Sequence, residues 1–142
     1  MKYVGGVRAL FALFLSFMLL LMSGSPFTEA ATGVLEKPVQ REYIVDTAGM
    51  VSEADRQQIT QIGEELRAKT KAEIVVVTVD TLGGQGIEPY ATDLFRRWGI
   101  GDAKRNNGVL LLIAKEDRKF RIEVGYGLEG EITDGRAGAV LD

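Results

Sequence analysis

Between Ser52 and Thr70 the apolar residues recur at helical spacing. Ile59, Ile62 and Leu66 lie on one stripe, with Glu, Gln, Arg and Lys on the opposite side. Glu53 and Asp55 stand in the first turn and Arg67, Lys69 and Lys71 at the end, a polarity that suits the helix dipole. Ser52, with Asp55 three residues on, reads as the N-cap. The pattern then changes period. EIVVVTV (73–79) is a nearly continuous β-branched run, the signature of a strand covered on both faces. IEPYATDLFRRWG (87–99) returns to helical spacing, with Ala91, Leu94, Phe95 and Trp98 inward, Pro89 in the first turn and Gly99 as the stop. VLLLIA (109–114) and FRIEV (120–124) are two strands joined by a connection short enough to force a hairpin. A brief β-prone run at Tyr43-Ile44-Val45 precedes all of these, and TDGRAGAVLD opens like a capped helix at Thr133 or Asp134. The predicted order is β-α-β-α-β-β-α, a three-layer α/β/α sandwich on a small mixed sheet. The last helix has no stop signal, so the chain is expected to break off inside it.

The first thirty residues follow a different pattern. Lys2 and Arg8 precede a largely apolar run from Ala9 to Met22, 14 residues long and so shorter than the roughly 20 that a spanning helix needs. Small and polar residues follow, with Thr28-Glu29-Ala30 at a plausible cleavage point. This is the form of a secretory signal peptide over residues 1–30; an uncleaved N-terminal anchor is the alternative, and either one exports the rest of the chain. Residues 31–41, with Gly33 and Pro38 and no periodicity, read as an exposed linker. What remains is enough for one modest domain.

Composition narrows the chemistry. The chain has no cysteine and no histidine, which removes disulfides, thiol nucleophiles, the usual zinc sites and imidazole bases. Beyond residue 30 the only serine is Ser52, already used as a cap, so a serine-triad hydrolase is excluded. Seventeen Lys+Arg against 20 Asp+Glu give a net charge of −3, with no concentrated basic face of the sort nucleic acid requires. Lys104-Arg105 and Arg118-Lys119-x-Arg121 read as solvated loop and hairpin charges.

The hairpin carries a geometric consequence. The start of 109–114 and the end of 120–124 must lie side by side, so Asp102, Asn106 and Asn107 approach the loop that runs from Gly125 to Asp134, while Asp117 sits at the other end. Amides, Glu129, Asp134 and glycine-loop carbonyls would then converge, a donor set suited to Ca²⁺ or Mg²⁺. Asp46 and Asp80 end the first two strands, and they join the same edge only if 120–124 runs parallel to those strands. If 109–114 is the parallel strand instead, the two aspartates lie across the sheet.

The segment VGYGLEGEITD (124–134) contains G-x-G-x-x-G, the outline of a dinucleotide turn. It stands late in the chain, follows a hairpin strand, and places Glu129, Glu131 and Asp134 where a pyrophosphate would lie. Neither a nucleotide nor a dinucleotide cofactor is expected there. The remaining readings are a loop that holds a cation and a simple turn.

Taken together, YIVDTAGMVS, EIVVVTV, LFRRWGIG, NNGVLLLIA and RIEVGYGLEGEITD resemble the TPM domain, or TPM phosphatase, family over about residues 42–142. The resemblance implies an α/β/α sandwich in an exported or lumenal protein, in bacteria often followed by a membrane helix, and a chain that stops short of the domain's end. It implies an accessory role in membrane-protein maintenance or assembly, with a membrane protein complex as partner. Divalent-cation binding and acid phosphatase activity, attributed to some members, come with it. By position, the family's acidic and amide residues fall on Asp46, Asn107, Glu129 and Asp134 as metal ligands, with Asp46 and Asp134 in any catalytic role; Asn106 and Asp102 match less well. The alternative is a purely structural or protein-interaction module without catalysis.

Overall fold

The computed structural model describes residues 35–133 and Ala139. The expected signal peptide, the first part of the expected linker, Asp134 and nearly all of the expected last helix lie outside the described residues.

Four strands and two helices follow in the order β1 (Ile44–Asp46), α1 (Glu53–Thr70), β2 (Glu73–Val79), α2 (Ile87–Trp98), β3 (Gly108–Ala114) and β4 (Lys119–Val124), with a short 3₁₀ turn at Tyr126–Leu128. The sheet order is β1-β2-β3-β4. β1, β2 and β3 are parallel and β4 returns antiparallel. The sheet is therefore mixed and the fold is α/β. The parallel direction of β3 settles what the sequence left open: Asp46 and Asp80 stand at the C-terminal edge of the parallel strands, together with the β3–β4 turn. The starts of β2 and β3 and the end of β4 form the opposite edge.

Register assigns the faces. Val45, Val77, Leu112 and Arg121 stand in one cross-sheet row. The face they share, with Val75, Val79, Leu110 and Ala114, is covered by Tyr90, Ala91, Leu94 and Trp98 of α2. Leu94, Leu110, Leu112 and Val77 have no exposed surface, and each buried aliphatic side chain of this size contributes roughly 1.5–3 kcal/mol by leaving water. The other face carries Ile44, Asp46, Val76 and Thr78, and here Arg56 of α1 reaches the Asp46 carboxylate at 3.9 Å. The sheet is thus served by a helix from each side.

The helix ends behave as the residue types dictate. The Ser52 hydroxyl accepts from the Asp55 N–H at 3.1 Å and donates to the Asp55 carboxylate at 2.6 Å. α1 ends on Lys71 in the left-handed conformation (φ 64°), where its N–H closes on the Arg67 carbonyl at 2.9 Å. Gly63, mid-helix, is placed by packing: a Cβ there would sit 2.3 Å from the Tyr43 ring. Its absence lets that ring, nearly buried, lie against the helix.

Residues 35–37, expected as part of an exposed linker, are tied down. The Leu35 carbonyl accepts from the Trp98 indole N–H at 3.1 Å, the Lys37 ammonium donates to the Trp98 carbonyl, and Leu35 packs on the core. The reason is local: the C-terminal turn of α2 offers a carbonyl and an indole N–H that need partners.

Candidate functional site

The C-terminal edge of the parallel strands is the usual ligand position in an open α/β sheet, and Asp46 stands there. Its carboxylate is fully engaged. One oxygen accepts from the Met50 N–H at 3.0 Å and from the Thr78 hydroxyl, the other from the Val51 N–H at 3.0 Å, with Arg56 beyond. Thr78, wholly buried, in turn accepts from the Ala48 N–H at 3.2 Å, and the Thr47 hydroxyl donates to the Thr78 carbonyl at 2.6 Å. Burial works against the Asp46 charge, but the Thr78 hydroxyl, the two loop N–H groups and Arg56 outweigh it and hold the carboxyl below its usual range. Asp117 performs a similar task in the β3–β4 turn, accepting from the Leu82 N–H at 2.8 Å. Both aspartates fasten loops at this edge.

The opposite edge is built by backbone contact. The Gly125 N–H donates to the Gly108 carbonyl at 2.7 Å and the Gly127 N–H to the Asn106 carbonyl at 2.9 Å. A Cβ on Gly127 would lie 1.9 Å from the Arg105 carbonyl oxygen, and one on Gly125 2.2 Å from that of Asn106. Two of the three glycines in the G-x-G-x-x-G spacing are therefore there so that the 125–130 loop can lie flat on the 101–107 loop.

The expected site residues divide accordingly. Asn106 does meet the glycine loop, with Asn107 next to it in the chain, whereas Asp102 lines the far side of the 101–107 loop. Asn107 is buried, and its side-chain oxygen accepts from the Asp102 N–H at 2.9 Å. The Asp102 carboxylate accepts from the N–H groups of Lys104 at 2.9 Å and Arg105 at 3.0 Å. The loop carbonyls expected to be free are largely taken: those of Gly125, Tyr126 and Leu128 accept from Leu128, Glu129 and Glu131. Glu129 is exposed, and its carboxylate makes no bond to another described residue. Asp134 lies outside the described residues. Asp46 aligns with Thr78 and hence with Ile113, whereas Asn107 precedes the Glu73–Gly108 pair. At about 3.3 Å per residue, Asp46 and Asn107 stand roughly 20 Å apart along the sheet.

The set Asp46, Asn107, Glu129 and Asp134 therefore does not fit a single metal ion, and among the described residues no three acidic side chains come together as one. Position along a strand is legible in sequence, but which end of the sheet each strand end occupies depends on the direction of β3. What remains near Glu129 is a polar cleft of about 430 Å³ between the β4 edge and the turn, lined also by Arg121, Glu123, Ile132 and Thr133. Glu123 is already bound to Arg121 at 3.1 Å and to the Thr92 hydroxyl at 3.2 Å. The sequence reading missed that partnership, since Thr92 and Glu123 come together only when α2 packs beside β4. Around Glu129 the side-chain chemistry available is therefore that of carboxylate, hydroxyl and guanidinium.

Comparison with known proteins agrees on the fold. The solution structure of the N-terminal domain of a P. gingivalis protein matches with a TM-score of 0.65 at 34% identity, over 70% of this chain and 64% of that one. The chain thus spans somewhat less than two thirds of that relative. The N-terminal domain of a Corynebacterium glutamicum protein matches with a TM-score of 0.57 at 21% identity, over 75% of this chain and 67% of that one. No curated protein matches. The family model described as the TPM domain, TPM phosphatase, matches residues 44–142. This chain belongs to the TPM domain family.

Proposed function

We propose that this is an exported TPM domain that binds a divalent cation at the Glu129 end of its sheet and serves an accessory role in membrane-protein maintenance or assembly. The observation that carries the cation is the exposed Glu129 carboxylate, without a partner among the described residues, beside the polar cleft at the end of β4. Asp134, five residues on, is the second donor of this reading, and Thr133 lines the same cleft. Two carboxylates and a few neutral oxygens make a weak site for Ca²⁺ or Mg²⁺, in the range of about 10⁻⁴–10⁻³ M typical of extracellular modules. Asp46 is left out, because its carboxylate is taken by the Met50 and Val51 N–H groups and the Thr78 hydroxyl, with Arg56 beyond. Export rests on the N-terminal sequence pattern, and the accessory role on a chain without cysteine or histidine whose only serine beyond residue 30, Ser52, is a helix cap.

Calorimetric titration with Ca²⁺ and Mg²⁺ tests the cation. Saturable heat that is lost in both Glu129→Gln and Asp134→Ala supports the reading; no heat, or heat unchanged in either variant, removes it. Phosphatase activity is the finer alternative within the family. Its test is cation-dependent hydrolysis of an aryl phosphate that disappears in Glu129→Gln. Asp46→Ala does not discriminate, since it would disturb the loop whatever the chemistry. No turnover above that of Glu129→Gln leaves a binding or interaction module without catalysis.

A further inference from the structure

The edge of the sheet that carries Glu129 has a second cleft on the other side of the 101–107 loop. It measures about 550 Å³ and is lined by Arg41, Arg67, Lys71, Lys104 and Arg105, with Glu73 and Asp102 as its only acids. We propose that this cleft is a binding site for a phosphate-bearing anion.

Five cations from three separate segments meet here in a chain whose net charge is −3. Arg41 comes from the lead into β1, Arg67 and Lys71 from the end of α1, and Lys104 and Arg105 from the loop before β3. The two acids are already committed. Glu73 accepts from the Gly101 N–H at 3.0 Å and lies 3.8 Å from Arg41, and Asp102 accepts from the N–H groups of its own turn. Arg67, Lys71, Lys104 and Arg105 make no ion pair with any described residue. Arg67 and Lys71 also complement the negative end of the α1 dipole, and that role alone accounts for two of the five. It does not account for Lys104 and Arg105, which arrive from elsewhere and raise the mutual repulsion, while Arg41 is held beside them by Glu73. Unpaired like charges held around one cleft favour an anion that bridges them, and guanidinium groups favour phosphate through paired N–H donors. The clustering is invisible in sequence: Lys104-Arg105 looks like an ordinary loop pair until the fold brings Arg41, Arg67 and Lys71 beside it.

The shared chemistry is phosphate, free or on a lipid headgroup, and two arms separate these sources. In the first, inorganic pyrophosphate is titrated into the full chain while backbone amide shifts are followed. In the second, the chain is sedimented with phosphatidylglycerol vesicles or with neutral phosphatidylcholine vesicles. The variants are Arg67→Glu with Lys104→Glu and, in case charge reversal disturbs folding, Lys104→Gln with Arg105→Gln in the exposed loop. Lys119→Glu, at the far end of the sheet, is the control. A soluble ligand gives saturable shifts centred on Lys71 and Gly101–Arg105, weakened at least about tenfold by charge reversal and by added salt, and unchanged in Lys119→Glu. A lipid ligand gives sedimentation with phosphatidylglycerol that the same variants lose, even though the apolar N-terminal segment is common to all of them. Absence of both, or binding undiminished in the two cleft variants, overturns the proposal. The cation reading stands or falls separately, because Glu129→Gln leaves this binding intact.

Discussion

The two ends of the sheet commit their charged residues to different extents. At the C-terminal edge, Asp46 and Asp117 direct their oxygens at the N–H groups of Met50, Val51 and Leu82. Charge there is consumed in holding loops. At the N-terminal edge Glu73, Asp102 and Asn107 brace the 101–107 loop, but the glycine loop is laid on it by backbone, through Gly125 on Gly108 and Gly127 on Asn106. Side chains without an ion pair among the described residues stand on both sides of the 101–107 loop: Glu129 on one side, and Lys104, Arg105, Arg67 and Lys71 on the other. The lesson is that an aspartate at a strand end is not a ligand until its lone pairs have been counted. By that count, Asp46 and Asp117, at the edge usually associated with ligands in α/β sheets, are structural in this fold.

The largest expected effect comes from breaking the structural edge. Asp46→Ala strands the buried Thr78 hydroxyl and two loop N–H groups, so stability should fall by about 2–4 kcal/mol in chemical denaturation. A loss below about 0.5 kcal/mol would mean that the loop holds without it. Next is the glycine seam. Gly127→Ala drives a Cβ into the Arg105 carbonyl oxygen, and a loss of about 1–3 kcal/mol is expected, with amide shifts confined to 101–108 and 125–131. Gly63→Ala sets a helix-propensity gain of up to about 1 kcal/mol against collision with the Tyr43 ring. Net destabilisation is expected, and a stabilised variant would show that the ring moves freely.

The pH dependence sharpens the same contrast. Asp46 has a folded-state pKa below its ordinary value of 3.8. Its contribution is therefore fully present above the unfolded-state value and is lost as pH falls through the folded one. Denaturation midpoints between neutral pH and pH 2 should show an acid-side loss that is reduced in Asp46→Asn. The smallest effect is expected at the open edge: Glu129→Gln should change stability by less than about 0.5 kcal/mol.

Most of the secondary structure was legible because it is local. The 3.6-residue stripe of α1, the β-branched run of β2 and the short turn between β3 and β4 each announce themselves within a few residues. The hairpin also placed Asn106 and Asn107 beside the glycine loop. What could not be read depends on long-range arrangement. The direction of β3 decided whether Asp46 stood near Asn107 or across the sheet from it. The role of the Asn107 amide depended on Asp102 presenting a bare N–H, and the purpose of Gly63 on Tyr43 arriving from a different element. The glycine spacing was visible, but its cause, two carbonyl oxygens of a neighbouring loop, was not.

The central claim is that the open, Glu129 edge carries the ligand chemistry and the Asp46 edge does not. Backbone amide shifts recorded during a Ca²⁺ titration test it most directly. The account predicts saturable shifts centred on residues 125–133, abolished by Glu129→Gln, with Asp46–Ser52 and Thr78 unmoved. Shifts centred on Asp46–Ser52 and Thr78 would contradict it.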